Sequence, residues 1–228
     1  MTSAVIVAAG RGTRMGPDVD KLFLQVAGRP VVAHTWLRFD GVAEIDELIL
    51  VVRDGMQSAF KEMATELRPK KPWRTVIGGK ERQDSVWNGL QALAKETEVV
   101  AIQDGARPCT SEALIRETLD WARQTGAAVA AQRVTDTIKE SEDGKVIGRN
   151  VDRSRLWSVQ TPQAFRIDVI KRAIEAARER GFHLTDDTAA CELIGQGVQL
   201  VESKEPNPKV TLPADIPYIE MLLRGHGV

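Results

Sequence analysis

The sequence predicts an α/β protein in which a Rossmann-like, mostly parallel sheet carries helices on both faces. Short apolar runs typical of buried strands recur along the chain, at residues 5–9, 46–53, 74–77, 99–103, 127–132 and 198–201. Segments with helical periodicity lie between or after these runs, at residues 28–39, 56–67, 86–94, 112–124, 167–180 and 214–223. Alternation of strands and helices favours a parallel sheet, because each helix carries the chain back across one face.

The composition limits the kind of partner that the protein can have. The chain has 228 residues, of which 43% are hydrophobic, and its formal net charge is −1. Such a chain can bury a substantial core, so we expect a single domain over residues 1–228. The near-neutral charge argues against general nucleic-acid binding, and no apolar run approaches the length of a membrane span. We therefore expect a small anionic partner, with no nucleic acid and no membrane.

The cysteine content bears on the cellular compartment. The sequence has two cysteines, Cys109 and Cys191, which are far apart, and we expect no signal peptide. Free thiols in a reducing compartment are the simpler interpretation of this pattern. The sequence therefore predicts a cytoplasmic protein.

The first apolar run leads directly into a loop that combines glycines with cations. Its three glycines and three cations are Gly10, Gly12, Gly16, Arg11, Arg14 and Lys21. Glycine lets backbone N–H groups approach a phosphate closely, and the cations attract its charge. The spacing of a P-loop is absent, and the dinucleotide-binding fingerprint would need a glycine where Met15 stands. The loop is predicted to bind a phosphate, and an ordinary glycine-rich turn is the alternative.

The residues that follow this loop predict further elements. An extended piece at 22–26 precedes the first helix, which has Pro30 near its first turn. His34 on that helix is expected to be a packing or surface residue rather than a catalyst. The third strand ends in a glycine turn, and Asp84 or Ser85 then caps the next helix.

The carboxyl end of the fourth strand carries a polar turn. Asp104 and Arg107 follow this strand directly, at the edge where open α/β sheets bind their ligands. Asp104 is therefore a candidate to bind magnesium or a hydroxyl group. An aspartate before glycine is also a common structural device in turns, and that alternative stays open.

The pattern changes at residues 133–157, where polar and apolar residues alternate around a turn at 141–144. This pattern predicts a protruding β-hairpin, an arm with too little core to be stable by itself. Pro162 predicts an extended connection over residues 160–165. Near the end of the chain, Asp186 and Asp187 are predicted to cap a short helix, and Lys209 lies in a loop between a proline and a short extended piece.

Six separated motifs resemble one enzyme family. They are Ala-Ala-Gly-x-Gly-x-Arg-Met at 8–15, Gly-Gly-x-Glu-Arg-x-x-Ser-Val at 78–86, Asp-x-Ala-Arg-Pro at 104–108, Val-Asp-Arg at 151–153, Gln-Thr-Pro-Gln-Ala-Phe at 160–165 and Asn-x-Lys-Val-Thr at 207–211. Over essentially its whole length the chain is similar to the cytidylyltransferases that act on 2-C-methyl-D-erythritol 4-phosphate, enzymes of the non-mevalonate isoprenoid pathway. It departs from many of these relatives at Leu22 and Lys80.

This resemblance implies a role for each motif residue. Catalytic roles fall on Arg14, Lys21, Arg153 and Lys209. Nucleotide binding falls on Ala8, Ala9, Gly10, Arg11, Gly12, Thr13, Gly79 and Ser85. Substrate binding falls on Asp104, Arg107, Thr137, Thr161 and Thr185, and Asp104 is also the candidate ligand of Mg²⁺. The family further implies a homodimer, in which the arm brings Thr137 and Arg153 into the partner's site.

The residue pattern also bears on the reaction. The sequence shows no Ser/His/Asp, Cys/His or clustered metal-ligand pattern. This suits attack by an already ionised phosphate on the α-phosphorus of CTP, since such a nucleophile needs no general base. One alternative is a cytidylyltransferase for another polyol phosphate, such as ribitol 5-phosphate. A more distant one is a dinucleotide-binding oxidoreductase or a nucleotide sensor, which would need an acid about 20 residues after the loop.

Overall fold

The computed structural model describes residues 1–10 and 20–225 of the chain. Within these residues the strands are β1 (Thr2–Ala8), β2 (Gln25–Val26), β3 (Arg29–Pro30), β4 (Glu47–Val52), β5 (Trp73–Ile77), β6 (Val99–Asp104), β7 (Ala127–Arg133), β8 (Lys139–Glu140), β9 (Arg149–Asn150), β10 (Trp157–Arg166) and β11 (Gln199–Glu202). The helices are α1 (Val31–Gly41), α2 (Gln57–Leu67), α3 (Arg82–Gln91), α4 (Glu112–Thr125), α5 (Ile167–Glu179), α6 (Asp187–Glu192) and α7 (Asp215–Gly225).

A seven-stranded sheet, in the order β11-β7-β10-β6-β1-β4-β5, forms the centre of the described part of the chain. β1 pairs in parallel with both β4 and β6. β4 also pairs in parallel with β5, and β7 pairs in parallel with β11. β10 is antiparallel to both of its neighbours, β6 and β7. The prediction of a mostly parallel sheet with helices on both faces is confirmed.

β10 corrects one prediction about the local structure. Residues 160–165 are not only an extended connection, because they belong to a central strand of the sheet. The pairing of β10 with β7 shifts between Val159 and Gln163, and Pro162 lies within that shift. Proline has no N–H to donate to a neighbouring strand, so it suits an irregularity of the ladder.

Two helical layers cover the two faces of the sheet. Side chains from α1, α2, α4 and α7 pack on one face, and side chains from α3, α5 and α6 pack on the other. His34 of α1 is buried, and its Nε2 lies 2.7 Å from the carbonyl oxygen of Val26, so of the two expected roles it has the packing one. Within residues 1–10 and 20–225, no helix combines the length and the apolar character that crossing a membrane requires.

A small hairpin lies between β7 and β10. Its strands β8 and β9 pair over only two residues each, Lys139 with Asn150 and Glu140 with Arg149. A short 3₁₀ turn, Arg153–Arg155, follows before β10 begins. The tip exposes apolar side chains, because 69% of Val146 and 64% of Ile147 are accessible. The hairpin is thus present, with less strand pairing than the alternating pattern predicts.

Candidate active site

A cleft opens at the carboxyl ends of β1 and β6, where five segments of the chain meet. Its lining residues are Val7, Ala9, Gly10, Lys21, Leu22, Gly79, Lys80, Glu81, Arg82, Ser85, Asp104, Gly105, Ala106 and Lys209. We call it the nucleotide cleft, because seven residues of the predicted site line it, namely Ala9, Gly10, Lys21, Gly79, Ser85, Asp104 and Lys209. Ala8 is buried in the core directly before this wall. The predicted residues Arg11, Gly12, Thr13 and Arg14 lie outside the described residues.

Close packing explains why glycines occupy positions 78 and 79, in the loop between β5 and α3. A Cβ atom on Gly79 would lie 2.2 Å from the Cβ of Asp84, and one on Gly78 would lie 2.4 Å from the Cβ of Ala9. The hydroxyl of Ser85 accepts a hydrogen bond from the backbone N–H of Gly79 at 3.0 Å. The loop backbone is therefore held directly against the wall of the nucleotide cleft.

α3 begins earlier than the sequence predicts. Its N-cap is Glu81 rather than Asp84 or Ser85, and Asp84 completes a capping box from the third helical position. The backbone N–H of Glu81 donates to the carboxylate of Asp84 at 3.1 Å. The earlier start places Arg82 in the first turn of the helix, facing the cleft.

Asp104 lies at the centre of a cluster of charges. Its carboxylate is 2.7 Å from the amine of Lys209, 3.6 Å from Nε of Arg82 and 3.7 Å from Nε of Arg107. Burial by itself would raise the pKa of Asp104, but the three cations outweigh burial and lower the pKa to about 2. The backbone N–H of Asp104 donates to the hydroxyl of Thr161 at 3.1 Å, which fixes the end of β6.

Arg82 forms a second, buried ion pair that sequence reasoning missed. Its guanidinium donates to both carboxylate oxygens of Asp187, at 2.9 and 2.8 Å, and only 1% of the Asp187 side chain is exposed. Burial acts against the charged form of Arg82, but Asp187 and Asp104 outweigh it and raise the pKa of Arg82. The predicted capping role belongs to Asp186 alone, which accepts from the backbone N–H of Ala189 at 2.9 Å. The sequence carries no local signal for this pair, because 105 positions separate the two residues.

A second cleft lies on the other side of Asp104. It is lined by Arg82, Asp104, Arg107, Val159, Gln160, Thr161, Gln163, Thr185, Asp186 and Lys209, and we call it the acceptor cleft. Three predicted substrate residues, Arg107, Thr161 and Thr185, are on this lining. Arg82, Asp104 and Lys209 line both clefts, so the charge cluster separates them. Two anionic reactants could therefore approach each other across this cluster.

The two predicted residues on the hairpin do not join this site within one chain. Thr137 and Arg153 are exposed, and neither lines the nucleotide cleft or the acceptor cleft. The guanidinium of Arg153 instead donates to the carbonyl of Thr135 on the hairpin itself.

The residues present fit a magnesium ion that enters with the nucleotide. In the described part of the chain, no group of three or more His, Cys, Asp or Glu residues could hold a metal ion. Magnesium in nucleotide sites needs only one or two carboxylates, since phosphates and waters complete its shell. Asp104 supplies one ionised carboxylate on the walls of both clefts.

Nucleotidyltransferases are the class of enzyme that this fold and this pair of clefts define. Glycine loops and cations on the sheet edge suit phosphate groups, and positioning with charge stabilisation is what phosphoryl-group transfer needs from a protein.

Comparisons with known proteins identify the family. The family model for 2-C-methyl-D-erythritol 4-phosphate cytidylyltransferase matches residues 2–225, and the chain belongs to this family. The enzyme of this name from Geobacillus kaustophilus is 42% identical over 220 residues, which cover 96% of each chain. The one from Pelotomaculum thermopropionicum is 41% identical over 225 residues, 98% of this chain and 94% of that one.

Solved structures agree with this assignment. The 4-diphosphocytidyl-2C-methyl-D-erythritol synthase of Anaerococcus prevotii is similar with a TM-score of 0.87 at 32% identity, covering 98% of this chain and 96% of that one. The 2-C-methyl-D-erythritol 4-phosphate cytidylyltransferase of Thermus thermophilus gives a TM-score of 0.80 at 33% identity, with 98% and 100% covered. The predicted family and enzyme class are confirmed.

Proposed function

We propose that the protein joins CTP and 2-C-methyl-D-erythritol 4-phosphate, forming 4-diphosphocytidyl-2-C-methyl-D-erythritol and pyrophosphate. The observation that carries the proposal is the cluster of Arg82, Asp104 and Lys209 between two clefts. A nucleotide in the first cleft and a sugar phosphate in the second would meet at this cluster. Full-length similarity to enzymes of this name supports the choice of substrates.

The reaction is an in-line displacement. An oxygen of the sugar phosphate forms a bond to the α-phosphorus of CTP, while the bond from that phosphorus to the oxygen of the β-phosphate breaks and pyrophosphate leaves. The attacking phosphate is already ionised, so no side chain has to remove a proton. Lys21, on the wall of the nucleotide cleft, binds the triphosphate and stabilises the charge that develops on it, and the proposal gives Arg14 the same role.

The acceptor cleft holds the incoming phosphate. Lys209 and Arg107 supply positive charge there, and Thr161 and Thr185 supply hydroxyl groups. The amine of Lys209 interacts with Asp104 in the free protein and would interact partly with the incoming phosphate when the substrate is bound. The amine would then lie close to the attacking oxygen. Binding by cations on both sides offsets the repulsion between two anionic reactants.

In this proposal Gly79 and Ser85 recognise the cytosine base of CTP. The close packing of Gly78 and Gly79 leaves backbone groups at the cleft wall, where a flat base can lie against them. The fixed donors and acceptors of such a backbone distinguish cytosine from other bases.

Mg²⁺ completes the proposal, with Asp104 as its protein ligand. When bound, the ion neutralises charge on the phosphate oxygens. The carboxylate of Asp104 stays ionised because the neighbouring cations lower its pKa.

The assembly in the proposal is a cytoplasmic homodimer. Thr137 and Arg153 are exposed and line neither cleft of their own chain, and the hairpin exposes the apolar side chains of Val146 and Ile147. Both features suit an arm that packs on a second subunit and delivers Arg153 to the acceptor cleft there. Free, buried Cys109 and Cys191 suit a reducing compartment.

Magnesium-dependent release of pyrophosphate from CTP tests the function. We would offer 2-C-methyl-D-erythritol 4-phosphate and ribitol 5-phosphate in parallel, with CTP alone as the blank. Release with the first substrate only is the expected result. Preference for ribitol 5-phosphate would overturn the substrate assignment, and release with neither would overturn the proposed reaction.

A further inference from the structure

Asn207 is a fully buried polar side chain that joins the three segments behind the acceptor cleft. It lies between Pro206 and Pro208, two positions before Lys209, and only 2% of it is exposed. Each polar atom of its side chain has a partner. Its Nδ2 donates to Oε1 of Gln160 at 3.1 Å and to the carbonyl of Thr161 at 2.8 Å, and its Oδ1 accepts from the hydroxyl of Thr110 at 2.9 Å.

The backbone of Asn207 holds a further residue of the cleft. Its carbonyl oxygen accepts a hydrogen bond from a terminal nitrogen of Arg107 at 2.6 Å. Arg107 thus has its guanidinium fixed from one side by this loop and from the other by the carboxylate of Asp104 at 3.7 Å.

These contacts fix the positions of Arg107 and Lys209 relative to strand β10. Thr161, whose carbonyl accepts from Asn207, uses its hydroxyl to accept from the backbone N–H of Asp104 at 3.1 Å. The loop that carries Lys209 is therefore anchored to the same residue that fixes Asp104. Proline on both sides of Asn207 restricts the backbone, so the anchored side chain also fixes the direction in which the loop continues to Lys209.

We propose that Asn207 is a positioning residue, which acts through Lys209 and Arg107 and thereby sets where the acceptor cleft holds the phosphate of the incoming substrate. The proposal rests on the proposed function for its substrate but not for its geometry. Asn207 lines neither the nucleotide cleft nor the acceptor cleft; it lines a neighbouring cavity together with Arg107 and Lys209, the two cations that it holds in place.

Kinetics of Asn207→Ala, with Asn207→Asp as a second variant, test the proposal. Asn207→Asp keeps the shape of the side chain and the oxygen that accepts from Thr110. It replaces the NH₂ group, which donates to Gln160 and Thr161, by an oxygen that can only accept. Each change should lower kcat/KM for the sugar phosphate about 10- to 100-fold, with KM for CTP little changed. Gln196→Ala is the matched control, because the side-chain amide of Gln196 also donates two hydrogen bonds, to the carbonyls of Thr125 and Gly197, and Gln196 lines neither cleft. Gln196→Ala should leave both kcat/KM for the sugar phosphate and KM for CTP unchanged.

A double-mutant cycle with Lys209→Gln separates positioning from general damage. If Asn207 acts through Lys209, Asn207→Ala should lower kcat/KM much less in the Lys209→Gln protein than in the wild type. Equal losses in both backgrounds would overturn the proposal. If Asn207→Ala fails to fold, the cycle is run with Asn207→Asp.

A footprint of lysine reactivity gives a readout that does not need activity. Acetylation of Lys209 by an N-hydroxysuccinimide acetate, followed by mass spectrometry, should be several-fold faster in the Asn207 variants, because the amine is released from Asp104. Lys204 is exposed and serves as the internal reference. An unchanged Lys209 footprint would overturn the proposal, whereas loss of the proposed function would show as an inactive wild type with the footprint change intact.

Discussion

The amine of Lys209 lies 2.7 Å from the carboxylate of Asp104, although 105 positions separate the two residues along the chain. Asp104 ends β6, and Lys209 belongs to the loop between β11 and α7. The pair thus joins the middle of the sheet to the C-terminal part of the chain. It also marks the border between the nucleotide cleft and the acceptor cleft.

Lys209→Gln removes the cation on the acceptor side while keeping most of the side chain. We expect kcat/KM for the sugar phosphate to fall about 100-fold, because one preorganised charge is lost from the phosphate site. Arg82 and Arg107 still neutralise Asp104, so the protein should stay folded. Steady-state kinetics at saturating CTP give the measurement, with Lys204→Gln as the exposed control. A kcat/KM within twofold of the wild type would remove Lys209 from this role.

Lys21→Ala should lower turnover by about two orders of magnitude, in line with the loss of one preorganised donor on the triphosphate. Lys21 lines the nucleotide cleft, and its amine donates to the carbonyl of Val210 at 3.1 Å. The change is measured as kcat with both substrates saturating. Lys61→Ala, an exposed position on α2, is the control. Near-normal turnover of Lys21→Ala would contradict the assignment.

A mixture of two inactive variants tests whether the site is shared between subunits. If Arg153 acts in the partner's site, a heterodimer of Lys21→Ala and Arg153→Ala chains has one site with both residues intact. Random exchange of subunits should then restore about a quarter of wild-type activity. Each variant alone, taken through the same unfolding and refolding, is the control. No recovery, with heterodimers shown by mass spectrometry, would mean that Arg153 serves no partner site.

Arg82→Leu should destabilise the protein by about 3 kcal/mol, because it leaves the buried carboxylate of Asp187 without its partner. Urea unfolding followed by circular dichroism measures the change. Arg116→Leu is the comparison, since Arg116 pairs with Glu44 and Glu112 at the surface and should cost less than about 1 kcal/mol. Equal losses of unfolding free energy for the two variants would show that burial of the Arg82–Asp187 ion pair does not increase the cost of removing it.

Both cysteines should be unreactive in the folded protein. Burial raises the pKa of Cys109 to about 11 and that of Cys191 to about 12, so both stay as thiols at pH 8. Ellman's reagent should detect two thiols in urea and none without it. Since folding raises these pKa values above the ordinary 9.0, their contribution to stability is present below pH 9 and is lost as the pH rises towards 12. Reaction of either thiol under native conditions would contradict the burial.

The sequence predicts the sheet and much of the cleft because those features depend on local patterns. A buried strand followed by glycines or an aspartate places Gly10, Gly79 and Asp104 at one edge without knowledge of distant contacts. Where β10 lies, the sequence predicts only an extended connection, since Pro162 interrupts the pattern of a central strand. The pair of Arg82 and Asp187 escaped prediction because it spans 105 positions, and no local rule connects them.

The strand β10 also limits how the arm can change during evolution. Its first residue, Trp157, comes two positions after the 3₁₀ turn at the base of the hairpin, and the same strand carries Thr161, whose hydroxyl holds the backbone of Asp104. Inserting one residue between Trp157 and Val159, which pair in regular register with β7, would turn the side chains on one side of the insertion to the opposite face of the sheet. The turn at Asp143 and Gly144 is exposed and lies outside the strands, before the apolar pair Val146 and Ile147 that the proposed dimer would bury. Insertions and deletions should therefore be found at this turn rather than at the base of the hairpin.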